Sequence, residues 1–236
     1  MSRPSRRTHH TSSLTDPYVD PGSQVLRNIP GLVDQRDLDD YEAFTTTIRI
    51  HQLNDREVTI AGNYDLAHLC ALHRHIIQDV CQWAGKLRTV NISKDGSDFA
   101  LVQFIESAAD GIFAALHGDN LLRGLDRGDF LAEAAHFLVE LNALHPFREG
   151  NGRAQRVLLS QIAVDAGWPI DWSGLDRDTN IEASRRGHSG DQLPMLQLLD
   201  ALIVPVVTPM AIDALFRSSI EWHDIVRDLP EPDVDL

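Results

Sequence analysis

The apolar positions of this chain recur mostly at steps of three and four, a period that predicts helices. In "YDLAHLCALHRHIIQDVCQWAG", Leu66, Leu69, Leu72, Ile76, Val80 and Trp83 fall on one stripe. That stripe predicts an amphipathic helix closed by Gly85 as a C-cap. In "DFLAEAAHFLVELNAL", Leu131, Ala134, Ala135, Leu138, Leu141 and Leu144 form a broad apolar face. A buried central helix is expected there, stopping near Leu144 because Pro146 disfavours helical geometry at His145. Further helices are expected from "DLDDYEAFTTTIRIHQL" onward, over 104–116 and 151–167, and within "DRDTNIEASRRG" and "DQLPMLQLLDALIV".

The period changes once. "LRTVNISKDGSDFALVQF" reads as two short strands around a turn at Asp95-Gly96, a hairpin signal. A lone hairpin is marginal in water, so it must lie against helices, and its open edge is a liability unless something uses it. The predicted fold class is therefore mainly α, a helical bundle with one β-hairpin.

Three stretches follow from composition. Residues 1–15 read as a disordered basic tail, 16–205 as the main domain, and 206–236 as a C-terminal helix and acidic tail. The main domain opens on a turn-rich wrapping segment, Asp16 to about Asp37.

The net charge of −14 over 236 residues argues against nucleic acid as a direct partner, since phosphate backbones select basic surfaces. No apolar run approaches the length of a membrane span, and the basic start has no apolar stretch behind it to make a secretory signal. Cys70 and Cys81, read on one helix, lie too far apart for a disulfide and fit a reducing compartment. His73 and His75 are two apart on the same helix and point away from each other, which argues against a shared metal.

Against that acidic background, "HPFREGNGRAQR" gathers Arg148, Arg153 and Arg156 around two glycines. Gly150, Asn151 and Gly152 stand where a loop becomes a helix. Glycine lets the backbone approach a ligand, and the unsatisfied N–H groups of a helix start attract anions. Arg153 and Arg156, three apart, project from one side of the first turn, and guanidinium forks match phosphate oxygens. Together these residues make a site for a polyphosphate. Glu149 among them calls for a divalent cation, since Mg²⁺ takes one or two carboxylates plus phosphate oxygens. His145 just before the cradle can act as a general base near neutral pH, drawing a proton from a hydroxyl that attacks the bound phosphorus. Phe147 belongs to the core.

The stretch resembles the Fic-domain signature at every fixed position: His-Pro-Phe, any residue, Asp or Glu, Gly-Asn-Gly-Arg, any two, Arg. "DLAHLCALHRHIIQDVCQWAGKLRT" and "NISKDGSDFA" are similar to the family as well, and the likeness extends over about Asp16 to Val204. The resemblance implies a Fic fold, with the hairpin as a flap over the active-site loop, and protein adenylylation: AMP moves from ATP to a hydroxyl side chain of a target protein. It implies His145 as base, Glu149 as the Mg²⁺ ligand, and Gly150, Asn151, Gly152, Arg153 and Arg156 as the ATP-phosphate site. It further implies that Asn91, Ile92, Ser93, Lys94, Asp95 and Phe99 clamp the target by strand addition, and that "TNIEASRRG" helps wall the adenine site.

Within the family, phosphorylating relatives carry Lys where Gly152 stands, and phosphocholine-transferring ones Ala where Gly150 stands. A non-catalytic scaffold usually loses the histidine or the acidic residue, and both are present here. Many relatives carry an inhibitory glutamate with Ser or Thr four residues earlier. None of the nine glutamates has that spacing. The expectation is a toxin-like enzyme of the bacterial cytoplasm restrained by a separate antitoxin that supplies a glutamate to Arg156. The ATPase subunits of DNA gyrase and topoisomerase IV are then the first candidate targets. The alternative is an effector translocated into a host cell and acting on GTPases.

Overall fold

The structure, a computed structural model, describes residues 10–11, 16–94 and 97–204 of the chain. Among the described residues there are seven α-helices and three very short strands: β1 (His10–Thr11), α1 (Gln35–Asn54), α2 (Leu66–Ile77), β2 (Ile92–Lys94), β3 (Ser97–Asp98), α3 (Ile105–Gly118), α4 (Arg127–Leu144), α5 (Asn151–Ala166), α6 (Arg177–His188) and α7 (Leu193–Leu202). The mainly helical class read from the periodicity holds.

Four helices start the same way. Asp34, Asp65, Asp126 and Asp176 precede α1, α2, α4 and α6, and each carboxylate accepts a backbone N–H of the first turn. Those caps satisfy donors that a helix start leaves orphaned. Helix α5 has Gly150 in that place and no side-chain cap.

The predicted apolar face of α4 is buried along its whole length, and Phe130, Phe137 and Val139 are buried beyond it. Neighbours cover α4 on several sides: it packs on α3, α5, α6 and α7, while α2 packs on α1 and α5. The approach of α6 is close enough that a Cβ on Gly187 would stand 2.6 Å from Val139. The segment ahead of α1 wraps as expected: Val25 and Tyr18 are buried, and the Tyr18 ring meets Trp83 edge-on.

Two expectations change. Helix α2 ends at Ile77, not at Gly85, and a turn follows in which the N–H groups of Val80 and Cys81 both bond the Ile77 carbonyl. The apolar stripe runs on past the helix because Val80 and Cys81 are buried in that turn as well, so burial carried the period after the helix had stopped. Cys70 and Cys81 are therefore not on one helix; both are free thiols, and burial raises both pKa values, that of Cys70 to about 11.

The second change concerns the tail. His10 and Thr11 pair antiparallel with Ser93 and Ile92, and β2 pairs with β3, giving a sheet ordered β1-β2-β3. Two residues of the stretch read as a tail thus lie along the outer edge of the hairpin, where unpaired backbone groups were available. The remainder of residues 1–15, the turn at Asp95-Gly96 and the helix expected after Pro205 lie outside the described residues.

Candidate active site

Helix α4 ends at His145, which takes left-handed backbone angles, φ 44° and ψ 62°. A non-glycine residue there costs about 1–2 kcal/mol. The following proline closes the ordinary helical route. The His145 N–H still bonds the Leu141 carbonyl at 3.0 Å, so the imidazole is carried at the last turn of a rigid helix. The Nδ1 atom lies 3.3 Å from the Asn142 carbonyl. That contact assigns the proton to Nδ1 and leaves Nε2 as the basic nitrogen. The Phe99 ring stacks on the imidazole with centroids 3.9 Å apart.

The loop behind His145 is held from within. Phe147 is fully buried. The Asn151 side chain brackets it, accepting the Phe147 N–H at 2.9 Å and donating to the Phe147 carbonyl at 2.8 Å. The amide of Asn151 is thereby committed to the loop, and only its backbone N–H is left for a phosphate. His73, 0% exposed, accepts the Gly85 N–H at Nδ1 and so donates from Nε2 to the Glu149 carbonyl, both at 2.8 Å. Its ring stacks on Phe147 at 3.8 Å. Burial lowers its pKa to about 4, so it stands there neutral. A glycine follows of necessity: Gly150 has φ +81°, and a Cβ on it would meet Ile77 at 2.8 Å.

The three arginines of the stretch have separate fates. Arg148 is buried and pairs with Asp16 through two nitrogens, at 2.8 and 3.0 Å. Arg153 is bonded to buried Glu42 and to Thr46 on α1, with Glu149 3.9 Å away. Arg156 has no hydrogen-bond or ion-pair partner for its guanidinium among the described residues. Burial, and then the neighbouring Arg153 cation, lower its pKa to about 10, which leaves it charged at neutral pH. An uncapped helix start with a cation one turn along it is an arrangement that favours an anion.

The hairpin residues divide. Ile92 is buried, so its side chain faces the protein, and its backbone is paired with Thr11. Asn91 accepts the Val102 N–H at 2.9 Å and stabilises the base of the hairpin. Ser93 and Lys94 are half-buried, and Asp95 lies outside the described residues. On α6, Ser184 accepts from Asn142 at 3.3 Å and His188 meets Phe99 edge-on, which brings the "TNIEASRRG" helix to the same end of α4.

Asp16, Glu42, Thr46, His73 and Arg88 serve this loop and were not foreseen. The glutamate pattern pointed away from Glu42, which meets the first arginine of the signature and not the second. Glu221 and Glu231 lie outside the described residues.

The profile of the Fic/DOC family matches residues 63–163. The protein adenylyltransferase VbhT of Bartonella schoenbuchensis is 42% identical over 188 residues; the match spans 80% of this chain and 38% of VbhT's length. The probable protein adenylyltransferase y4lH of Sinorhizobium fredii is 40% identical over 185 residues, 78% of this chain and 94% of the relative. Among solved structures, BepC of Bartonella tribocorum, a VirB-translocated effector with bound AMPPNP, superposes with a TM-score of 0.73 at 25% identity, over 80% of this chain and 96% of BepC.

Proposed function

Since the chain belongs to the Fic/DOC family, we propose that it transfers AMP from ATP to a hydroxyl side chain of a target protein, through a catalytic domain over residues 16–205. One observation carries the reading. An imidazole with its tautomer set by Asn142 stands at the end of α4, and an uncapped helix start with an uncompensated Arg156 begins six residues later.

The nucleotide's phosphates lie on the N–H groups of Gly150, Asn151 and Gly152, with Arg156 on the terminal phosphates. Arg153 holds its place against Glu42 and turns its remaining donors to the same oxygens. AMPPNP is an ATP analogue, and its presence in BepC supports this ligand. The donors also suit Mg²⁺. Glu149 keeps 27% of its side chain exposed at the mouth of the loop, and one carboxylate plus phosphate oxygens is a donor set that magnesium takes. Glu149 would hold the ion, which when bound neutralises charge on the triphosphate.

The acceptor hydroxyl gives its proton to His145 Nε2 as its oxygen attacks the α-phosphorus. The bond from that phosphorus to the β-bridging oxygen breaks, and pyrophosphate leaves. The target enters as an extended segment beside the hairpin, taking the edge of Ile92–Lys94 from His10–Thr11, which pair there in its absence, and bringing its hydroxyl near the Phe99–His145 stack.

Arg156 also supports restraint by a second protein. Arg148 and Arg153 each have an internal carboxylate, and among the described residues Arg156 does not, so a small antitoxin-like partner inserting a glutamate there would displace the terminal phosphate. Gyrase and topoisomerase IV ATPase subunits are the first acceptors to test for cytoplasmic action. The translocated character of BepC supports delivery into another cell as the second reading.

Label at the α-phosphorus of ATP, but not at the γ-phosphorus, should appear on protein. His145→Ala should lower that transfer by about 10²–10⁴-fold, the usual worth of a positioned base. Equal labelling from both positions, or transfer that survives the substitution, would remove the reading.

A further inference from the structure

Arg88 is the other unexpected cation. It is 1% exposed, and no carboxylate pairs with it among the described residues. Its guanidinium is satisfied by carbonyls alone. Nε donates to His145 O at 2.8 Å, one terminal nitrogen to Val90 O at 2.8 Å, and the other to Ala100 O and, at 3.4 Å, to Leu144 O. Its backbone N–H bonds the Pro146 carbonyl at 2.9 Å. Burial lowers its pKa to about 10, so the fork is charged at neutral pH.

The acceptors belong to two bodies. Val90 and Ala100 are the stems of the hairpin, just outside β2 and β3. Leu144 and His145 are the end of α4, where helix carbonyls lack partners and carry partial negative charge. A cation at a helix end is favourable, but a cap would need only the α4 carbonyls. Arg88 spends half of its fork on the hairpin instead. Ala100 N–H reaches back to the Ala143 carbonyl at 3.0 Å, and Phe99 stacks on the imidazole, so both strand stems and the histidine are fixed to one planar group. Only arginine has donors in a rigid fork that reaches opposed carbonyls in this way; lysine offers one compact ammonium.

We propose that Arg88 is a positioning residue that sets the register between the hairpin and His145, so that a hydroxyl held on the hairpin edge arrives at Nε2. The proposal rests on the AMP-transfer reading above. In that reading an acceptor held on the hairpin depends on this register, whereas water, which also accepts AMP from ATP, does not dock there. Arg88 should therefore matter more for protein acceptors than for water.

The test uses R88K in the full chain, with ATP affinity by calorimetry, AMP transfer to protein acceptors in a lysate, and AMP release to water. ATP affinity should stay within about two-fold, and the ratio of protein transfer to water release should fall by about tenfold or more, a differential loss of acceptor positioning. An unchanged ratio, with both rates falling alongside the melting temperature, would reduce Arg88 to a helix cap and overturn the proposal. If the wild-type protein moves AMP to neither acceptor, the functional reading fails first. Hydrogen exchange still judges the pin without any chemistry, and covers the case in which R88K does not fold. In the wild-type protein the amides of Arg88 and Ala100 should open with matching free energies, as one body. Opening of Ala100 about thirtyfold more readily than Arg88 would separate hairpin from loop and sink the idea.

Discussion

The residues from His145 to Arg156 have an inner and an outer face, and the two are built on opposite terms. Inside, the groups that shape the loop have partners: Arg148 has Asp16, the Glu149 carbonyl has His73, and the Phe147 backbone has Asn151, while buried Gln155 donates to the Leu141 carbonyl and leaves its Oε1 unbonded among the described residues. Outside, α5 starts without a side-chain cap and Arg156 carries its charge with no acceptor among the described residues. Paired groups hold the loop in shape, and the open donors of α5 and Arg156 are where the proposed phosphates would lie. Residue type does not separate the two, since both faces use arginine.

That contrast can be broken by experiment. The largest effect should come from Asp16→Ala, which takes the carboxylate away from the buried Arg148 guanidinium; loss of one partner of a buried pair costs about 3–5 kcal/mol. Unfolding in urea should show that loss, while the fraction still folded binds ATP normally. A stable D16A protein that binds ATP poorly would move Asp16 to the outer face.

Acid should probe His73 next. Its pKa is about 4 in the folded protein, against roughly 6.5 for the free side chain. The unfolded chain therefore takes the proton first, so stability is unaffected well above pH 6.5 and falls as pH drops toward 4. The contribution is about 3 kcal/mol in all, by linkage. His73→Gln should flatten that part of the stability curve even if it lowers the curve as a whole. An acid limb of unchanged steepness would mean that other groups cause it.

Arg156→Ala should show the reverse signature. It removes charge-assisted hydrogen bonds worth about 1.5–3 kcal/mol. ATP affinity should therefore fall by about ten- to a hundredfold, with the melting temperature of the ligand-free protein unchanged or raised. The smallest shift is expected from Glu42→Gln: lower stability without ATP, and a larger stabilisation on adding it, because Arg153 then has phosphates in place of its carboxylate. Thermal shift with and without nucleotide would show both, and equal shifts in the two proteins would place Glu42 outside the nucleotide's reach.

The outer face was legible in the sequence, because its chemistry is local. A glycine pair, a histidine before proline and two arginines three apart lie within one short stretch and determine what that stretch can bind. The helices flanking it were legible for the same reason. The inner face was not. Asp16 meets Arg148 across 132 residues and Glu42 meets Arg153 across 111. Nothing in the periodicity of α1 distinguishes Glu42 from its solvated neighbours. Arg88 was hidden differently: its partners are backbone carbonyls, which every residue has. The end of α2 was missed because burial outlasts the helix.

The pairing of His10–Thr11 with β2 has a practical consequence for anyone preparing this protein. A purification handle attached next to His10 would stand beside the rim where an acceptor is expected to be laid. Rates measured with and without such a handle would then differ through crowding at the entrance, with the reactive groups themselves untouched.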